Sequence, residues 1–155
     1  MKYLVPNYLI SGLIIFFLLS GCSPAPVVTD NNLKFRVLSQ GQTSGLTQRK
    51  YLTLRKTTEY LEFWNVHAHF NSTPPPKVDF KKEMVIATFM GEQRTGGYSI
   101  TIEKIIEQEK DIQVHVMLTR PKPGSNRIMM ITQPHMIVAL PLSEKPITLQ
   151  FRTSP

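Results

Sequence analysis

Two stretches of this chain alternate between apolar and polar residues with a period of two. Tyr98, Ile100 and Ile102 interleave with Ser99, Thr101 and Glu103, and Ile112, Val114, Val116 and Leu118 interleave with Gln113, His115 and Thr119. Successive side chains of a strand point to opposite faces, so each stretch predicts a strand with one face in the core. The short polar run Glu107 to Asp111 joins them as an antiparallel hairpin. Met84 to Met90 is nearly continuous apolar, as a strand covered on both faces would be. Ile128 to Ile131, Met136 to Leu140 and Ile147 to Phe151 predict three more strands, and Phe35 to Leu38 and Tyr51 to Leu54 predict two weaker ones.

One segment changes period. From Thr57 to His69, Tyr60, Leu61, Trp64 and Ala68 fall at helical spacing, and Glu59 and Glu62 lie near the start, where the helix dipole favours negative charge. The spacing predicts one amphipathic helix, capped by Thr57 or Thr58, with Trp64 laid onto the sheet. Pro74, Pro75 and Pro76 cannot continue it and predict an extended crossing. The expected fold is mainly β (α+β): an antiparallel sandwich or partly open barrel of about seven or eight strands with one packed helix.

The first residues follow another logic. Lys2 precedes the apolar stretch Tyr8 to Leu19, which is too short for a membrane span of roughly 20 residues. It ends in Leu19-Ser20-Gly21-Cys22, which resembles the bacterial lipoprotein box. The resemblance implies a signal peptide over residues 1–21 and a lipid on the thiol of Cys22. Residues 22–32, with Pro24 and Pro26, read as a tether, and residues 33–155 as one domain. Ser23 after the cysteine looks like default sorting to an outer membrane in a Gram-negative cell.

Composition then narrows the function. The 155 residues carry 18 Lys and Arg against 11 Asp and Glu, a formal net charge of +7, which first suggests an acidic partner. The basic residues come singly or in pairs, with no run that would track a phosphate backbone, and an exported protein does not meet cytosolic nucleic acid. The only cysteine is the expected lipid site, so no intramolecular disulfide forms.

Candidate chemistry is sparse. His67 and His69, two apart on a helix, point away from each other and cannot share a metal. His115 falls on the polar face of its strand. Gly41-Gln42-Thr43-Ser44-Gly45 has the serine one position off a nucleophile elbow and no helix after it, so a turn explains it better. The segment Gly91 to Gly97 lacks the lysine of a phosphate loop and leads into a strand. Glu103, Glu107 and Glu109 lie on or beside an exposed hairpin, and Met129-Met130 reads as gap-filling core. An enzyme would need Ser44, His115 or His135 to converge in one pocket. The expectation is no catalytic residue, no metal and no cofactor.

Val78-Asp79-Phe80, Met84 to Phe89, Gly91 and Thr95-Gly96-Gly97-Tyr98-Ser99-Ile100 together resemble the PrcB C-terminal domain family of bacterial envelope proteins. Leu118-Thr119-Arg120-Pro121, Pro123-Gly124, Thr132-Gln133-Pro134 and Ile137 to Pro141 extend the resemblance, and Gly41 to Gly45 and the Trp64 helix fit the family's lead-in. His135 departs from it, standing where an aromatic is expected. The family takes its name from a lipoprotein found with a subtilisin-like surface protease, so the resemblance implies a non-catalytic accessory protein.

The expectation is therefore a lipid-anchored envelope protein that binds an envelope or secreted protein, such as a protease, and no nucleic acid. Its candidate contact residues are Thr95, Gly96, Gly97, Tyr98, Arg120, Pro134 and His135. The alternative is a small exported protease inhibitor using Thr95 to Tyr98, which is faintly similar to the Thr-Gly-Tyr loop of chagasin-like cysteine protease inhibitors.

Overall fold

The computed structural model of the protein describes residues 31–69 and 72–154. The signal peptide and Cys22 expected from the sequence lie outside the described residues. Seven strands and one helix follow in the order β1 (Arg36–Gly41), β2 (Lys50–Leu54), α1 (Thr57–His67), β3 (Glu83–Phe89), β4 (Ser99–Glu107), β5 (Ile112–Thr119), β6 (His135–Pro141) and β7 (Ile147–Ser154). They form a four-stranded sheet, β1-β6-β3-β2, and a three-stranded sheet, β4-β5-β7. The sheets do not close into a barrel, so the expected sandwich is the arrangement found. All pairs are antiparallel except β5 with β7.

The four-stranded sheet is the middle of three layers. Met84, Ile86, Met136, Val138 and Leu140 face Ile100, Ile102, Ile105, Ile112, Val114, Val116 and Leu118 of the other sheet in an almost wholly aliphatic core. Val85, Ala87, Phe89, Ile137 and Ala139 face the other way, onto Tyr60, Phe63, Trp64 and Ala68. This double coverage is why β3 and β6 are continuous apolar runs. Each fully buried Ile, Val or Met side chain is worth about 1.5–3 kcal/mol relative to leaving it in water.

Two bulges shift the register. In β4 the pairing steps between Ile102 and Lys104, so Ile102 and Ile105 both reach the aliphatic core although three residues separate them. In β1 it steps between Val37 and Ser39, which sets Ser39 opposite Ile137. Opposed residues share a face, and Ile137 faces α1. Without the extra residue Ser39 would stand opposite Met136, which belongs to the other core.

Two expectations are corrected. Ile128 to Ile131 is not a strand: these residues lie in the connection between β5 and β6 and are 72, 83, 54 and 59% exposed, so Met129 and Met130 are not core. Their backbone is held instead by single bonds to the segment before β4, Gly96 N–H to the Ile128 carbonyl and the Gln93–Thr132 bridge. The helix is capped by neither threonine: Lys56 holds the N-cap position and makes no side-chain cap bond. The buried face of α1 is Tyr60, Phe63, Trp64 and His67, with Leu61 44% exposed. The extended proline crossing is present, and it straps the helix: Tyr60 Oη donates to the carbonyl of Pro76 at 3.1 Å and Trp64 Nε1 to that of Thr73 at 2.7 Å. Among the described residues no helix is long and apolar enough to cross a membrane.

Candidate functional site

Between α1 and the sheet, the end of β1 and the start of β6 leave a cleft of about 300 Å³. Ser39, Gly41, Trp64, His67, Thr73 and His135 are among its walls. His67 comes from the last turn of α1, seven residues after Tyr60 and three after Trp64, on the face that packs on the sheet. His135 opens β6 opposite Phe89 on one side and Gly41 on the other. A side chain on Gly41 would meet the His135 ring at 3.2 Å, so glycine leaves the imidazole its place.

These residues form one chain of hydrogen bonds. Leu46 N–H reaches Ser44 Oγ at 3.1 Å, Ser44 Oγ lies 2.9 Å from His67 Nδ1, and His67 Nε2 lies 3.4 Å from Ser39 Oγ. Ser39 Oγ is 3.0 Å from His135 Nε2, and His135 Nδ1 is 3.3 Å from the carbonyl oxygen of Gln133. A carbonyl only accepts, so His135 Nδ1 carries the proton and its Nε2, when the ring is neutral, accepts from Ser39. Ser39 then accepts from His67 Nε2–H, and His67 Nδ1 accepts from Ser44, whose oxygen takes the Leu46 amide. The terminal carbonyl thus fixes both tautomers and the direction of every bond.

Electrostatics favour the same neutral state. Burial, with the neighbouring His135 adding to it, lowers the His67 pKa from the ordinary 6.5 to about 4, and burial outweighs the Gln133 carbonyl in lowering that of His135. The ring centroids are 4.5 Å apart, so two imidazolium charges would oppose each other directly. The pair is wrapped in rings: His67 stacks on Phe63 at 5.9 Å, His135 on Phe89 at 5.9 Å, and Trp64 meets His67 edge-on at 5.1 Å. His135, the departure from the family pattern, therefore still makes an aromatic contact.

Of the three residues an enzyme would need to bring together, Ser44 and His135 belong to this chain of bonds and His115 does not. His115 sits on β5 in the other sheet, its Nε2 buried without a hydrogen-bond partner. Ser44 is fully buried, and Gly45 explains how it reaches His67: a side chain on Gly45 would meet the Val66 carbonyl oxygen at 2.0 Å. Of the two serines in the chain of bonds, Ser39 is the one that lines the cleft. Neither Ser39 nor His67 was singled out as a partner of His135 from sequence. The available signal was the Tyr60, Trp64, His67 spacing, which turns His67 inward. Among the described residues no three His, Cys, Asp or Glu side chains stand close enough to hold a metal ion.

The remaining contact candidates gather at the adjoining end of the sheets. Gly96 N–H donates to the Ile128 carbonyl at 2.9 Å, Thr132 Oγ1 to that of Thr95 at 3.2 Å, and Gln42 Nε2 to that of Tyr98 at 3.0 Å. Gly97 has φ +90°, and a side chain there would meet Pro121 at 2.9 Å; only glycine suits both conditions. Tyr98 packs partly buried against the aliphatic core. Exposed Arg120 joins Pro121 at the end of β5, its amide bonded to Ser154. Pro134 is buried, and its carbonyl accepts from Met90. So Thr95, Gly96, Gly97 and the Pro121 turn form one surface with the Ile128 loop, whereas His135 belongs to the cleft.

The geometry defines a small two-sheet β domain with a helix-covered polar cleft and an exposed apolar loop. Residues 84–141, from β3 through β6, match the family model described as PrcB C-terminal, so this part of the chain is similar to the PrcB C-terminal domain family. The match takes in Thr95 to Tyr98, the Ile128 loop and His135, and leaves β1, Ser44 and α1 outside it. No curated protein and no solved structure matches the chain.

Proposed function

We propose that the chain is a lipid-anchored, non-catalytic protein of the cell envelope that acts as a protein-interaction module, in the manner of an accessory subunit of a secreted or surface protease. The observation that carries this reading is the run Ile128-Met129-Met130-Ile131, four consecutive apolar side chains each more than half exposed. Water penalises such a surface at roughly 25 cal/mol per Å², and contiguous exposed apolar patches on soluble domains mark interaction sites. Two flexible methionines suit a surface that moulds to its partner. The backbone bonds to Gly96 and Gln93 hold the loop in place.

Geometry favours a protein over the anchoring membrane as the partner. The described chain begins at Asn31, whose carbonyl accepts from Glu107 at the far end of β4, while the apolar loop rests on Gly96, just before β4 begins. At about 3.3 Å per residue, the nine residues of β4 separate the tether from the loop by roughly 30 Å. Anchored through Cys22, the domain would be held at the end of the sheets opposite the loop, which leaves the loop open to a partner. Ser44 is fully buried, and among the described residues the hydrogen-bond partners of the two histidines are serines and a backbone carbonyl, which supports a non-catalytic reading. The inhibitor alternative draws less support, since the Thr95 and Tyr98 carbonyls and the Gly96 amide are already engaged.

A photo-crosslinking residue at Met129 of the membrane-anchored protein tests this in its own cell. A single protein adduct is expected, absent when the probe replaces Glu59 on the outer face of α1 and lost when Met130→Lys accompanies the Met129 probe. Lipid adducts, or equal capture from both positions, overturn the reading.

A further inference from the structure

The apolar loop borders a pocket and a group of like charges. Gly96, Gly97, Pro121, Lys122, Arg127 and Ile128 are among the residues lining an open pocket of about 380 Å³. Glycines keep it open: Gly97 has φ +90° against Pro121, and Gly96, whose backbone is not left-handed, leaves bare a position where a Cβ would meet nothing closer than Ile128 at 3.9 Å. Residues 93–99 and 119–132, which build this end of the sheets, include Arg94, Arg120, Lys122 and Arg127 and no Asp or Glu. All four cations are exposed, and none joins an ion pair among the described residues. Arg127 is steadied by one bond from its guanidinium to the Lys122 carbonyl at 3.3 Å, which leaves its other N–H groups for an incoming carboxylate. At the opposite end of β4 and β5 the signs mix: Glu107, Glu109 and Asp111 stand beside Lys110, and Glu107 is already paired with Lys145 at 2.8 Å.

We infer that the partner meets this surface with an acidic, extended protein segment: one large apolar side chain enters the pocket between Gly96 and Ile128, and carboxylates on either side of it pair with Arg94, Arg120, Lys122 and Arg127. The inference rests on the reading of the Ile128 loop as a docking surface and adds the chemistry of what docks there. Two demands on the occupant come from the surface itself. Like charges without counter-charges repel one another, and their summed potential draws in the opposite sign. A concave site beside exposed Ile128 and Met129 gains only from a group that fills it and takes apolar surface out of water. A protein segment meets both demands at once. An anionic bilayer supplies the charge but presents a plane, which leaves the concavity unfilled. Exposed ion pairs are individually weak, so the pocket and the apolar run supply most of the affinity, while the cations select the partner and speed the encounter.

A library of random dodecapeptides displayed on phage, panned on the full-length protein in neutral detergent, tests this. The enriched pool is expected to carry Asp and Glu around a single large apolar residue, and to bind about 10-fold more weakly when salt rises from roughly 0.05 to 0.5 M. Lys122→Glu together with Arg127→Glu, both exposed, should weaken binding by about 10-fold or more. Gly96→Leu, which plugs the pocket without changing charge, should abolish it. The same charge reversal at Lys81→Glu with Lys82→Glu, in the turn before β3, should leave binding within about 2-fold. Enrichment of neutral or basic peptides, or equal binding by the Lys122→Glu, Arg127→Glu variant and the parent, overturns the inference; if that binding is still lost on Met130→Lys, the docking surface stands without it. Binding indifferent to Met130→Lys removes both. No enrichment also overturns the inference, and a preference for phosphatidylglycerol over phosphatidylcholine nanodiscs that Arg127→Glu abolishes would then assign the surface to an anionic membrane.

Discussion

The two faces of the middle sheet are built from opposite materials. Toward β4, β5 and β7 it presents Ile86, Val138 and Leu140 to other aliphatic side chains, with no charge state to maintain. Toward α1 it presents Phe89, Ala87 and Ile137 to Tyr60, Phe63 and Trp64, and among these it holds two imidazoles and two hydroxyls in one directed chain of bonds. The buried residues of the first face include no group that titrates, so its contribution does not change with pH. The second is stable only while His67 and His135 stay neutral, since a buried polar network is favourable when every member is satisfied and costly when one is not.

The largest effect that would break this contrast is a cavity in the aliphatic face. Ile86 is 1% exposed, and Ile86→Ala should cost about 2–5 kcal/mol in denaturant unfolding, by the same amount at pH 5 and pH 8. A pH-dependent loss would show that the faces are not independent.

Acid should attack the other face alone. The His67 pKa of about 4 lies below the 6.5 of the unfolded chain, so between these values the unfolded state binds more protons and stability falls as pH falls. Above pH 6.5 this contribution is complete; by pH 4 roughly 3 kcal/mol is gone, and the lowered His135 adds in the same direction. Thermal unfolding from pH 8 to pH 4 measures it, and a flat profile between pH 6.5 and 4 would refute the neutral network.

A smaller change sharpens the comparison. Ser44→Ala removes the acceptor of the Leu46 amide and the donor to His67, leaving buried groups unpaired at about 1–3 kcal/mol. Its cost should appear in full at pH 8. Equal stability of the variant and the parent there would mean that the chain of bonds contributes nothing.

The aliphatic face was legible in the sequence because a period of two and an unbroken apolar run are statements about how many sides of a strand are covered. The helix was legible for the same reason, and Trp64 went where its spacing put it. Ile128 to Ile131 reads as a strand and yet protrudes, because four apolar residues in a row look alike whether they pair or stand in solvent. The cleft was illegible for a related reason. Ser39 faces His67 only because β1 carries one extra residue, and His135 meets them only because β6 lies between β1 and β3. Neither register nor strand order is written in local periodicity.

The crossing of the first described residues has a mechanical consequence. Asn31 to Leu33 lie along β4, with Leu33 N–H donating to the Ile105 carbonyl and Glu107 N–H to that of Asn31, and the chain then passes into β1 in the other sheet. A pull from the N-terminal side therefore meets this short staple before it loads β1, and spends itself on two or three outer backbone bonds while the cleft and the apolar loop keep their shape. If the domain is held by its N-terminus as proposed, this staple is a strain relief.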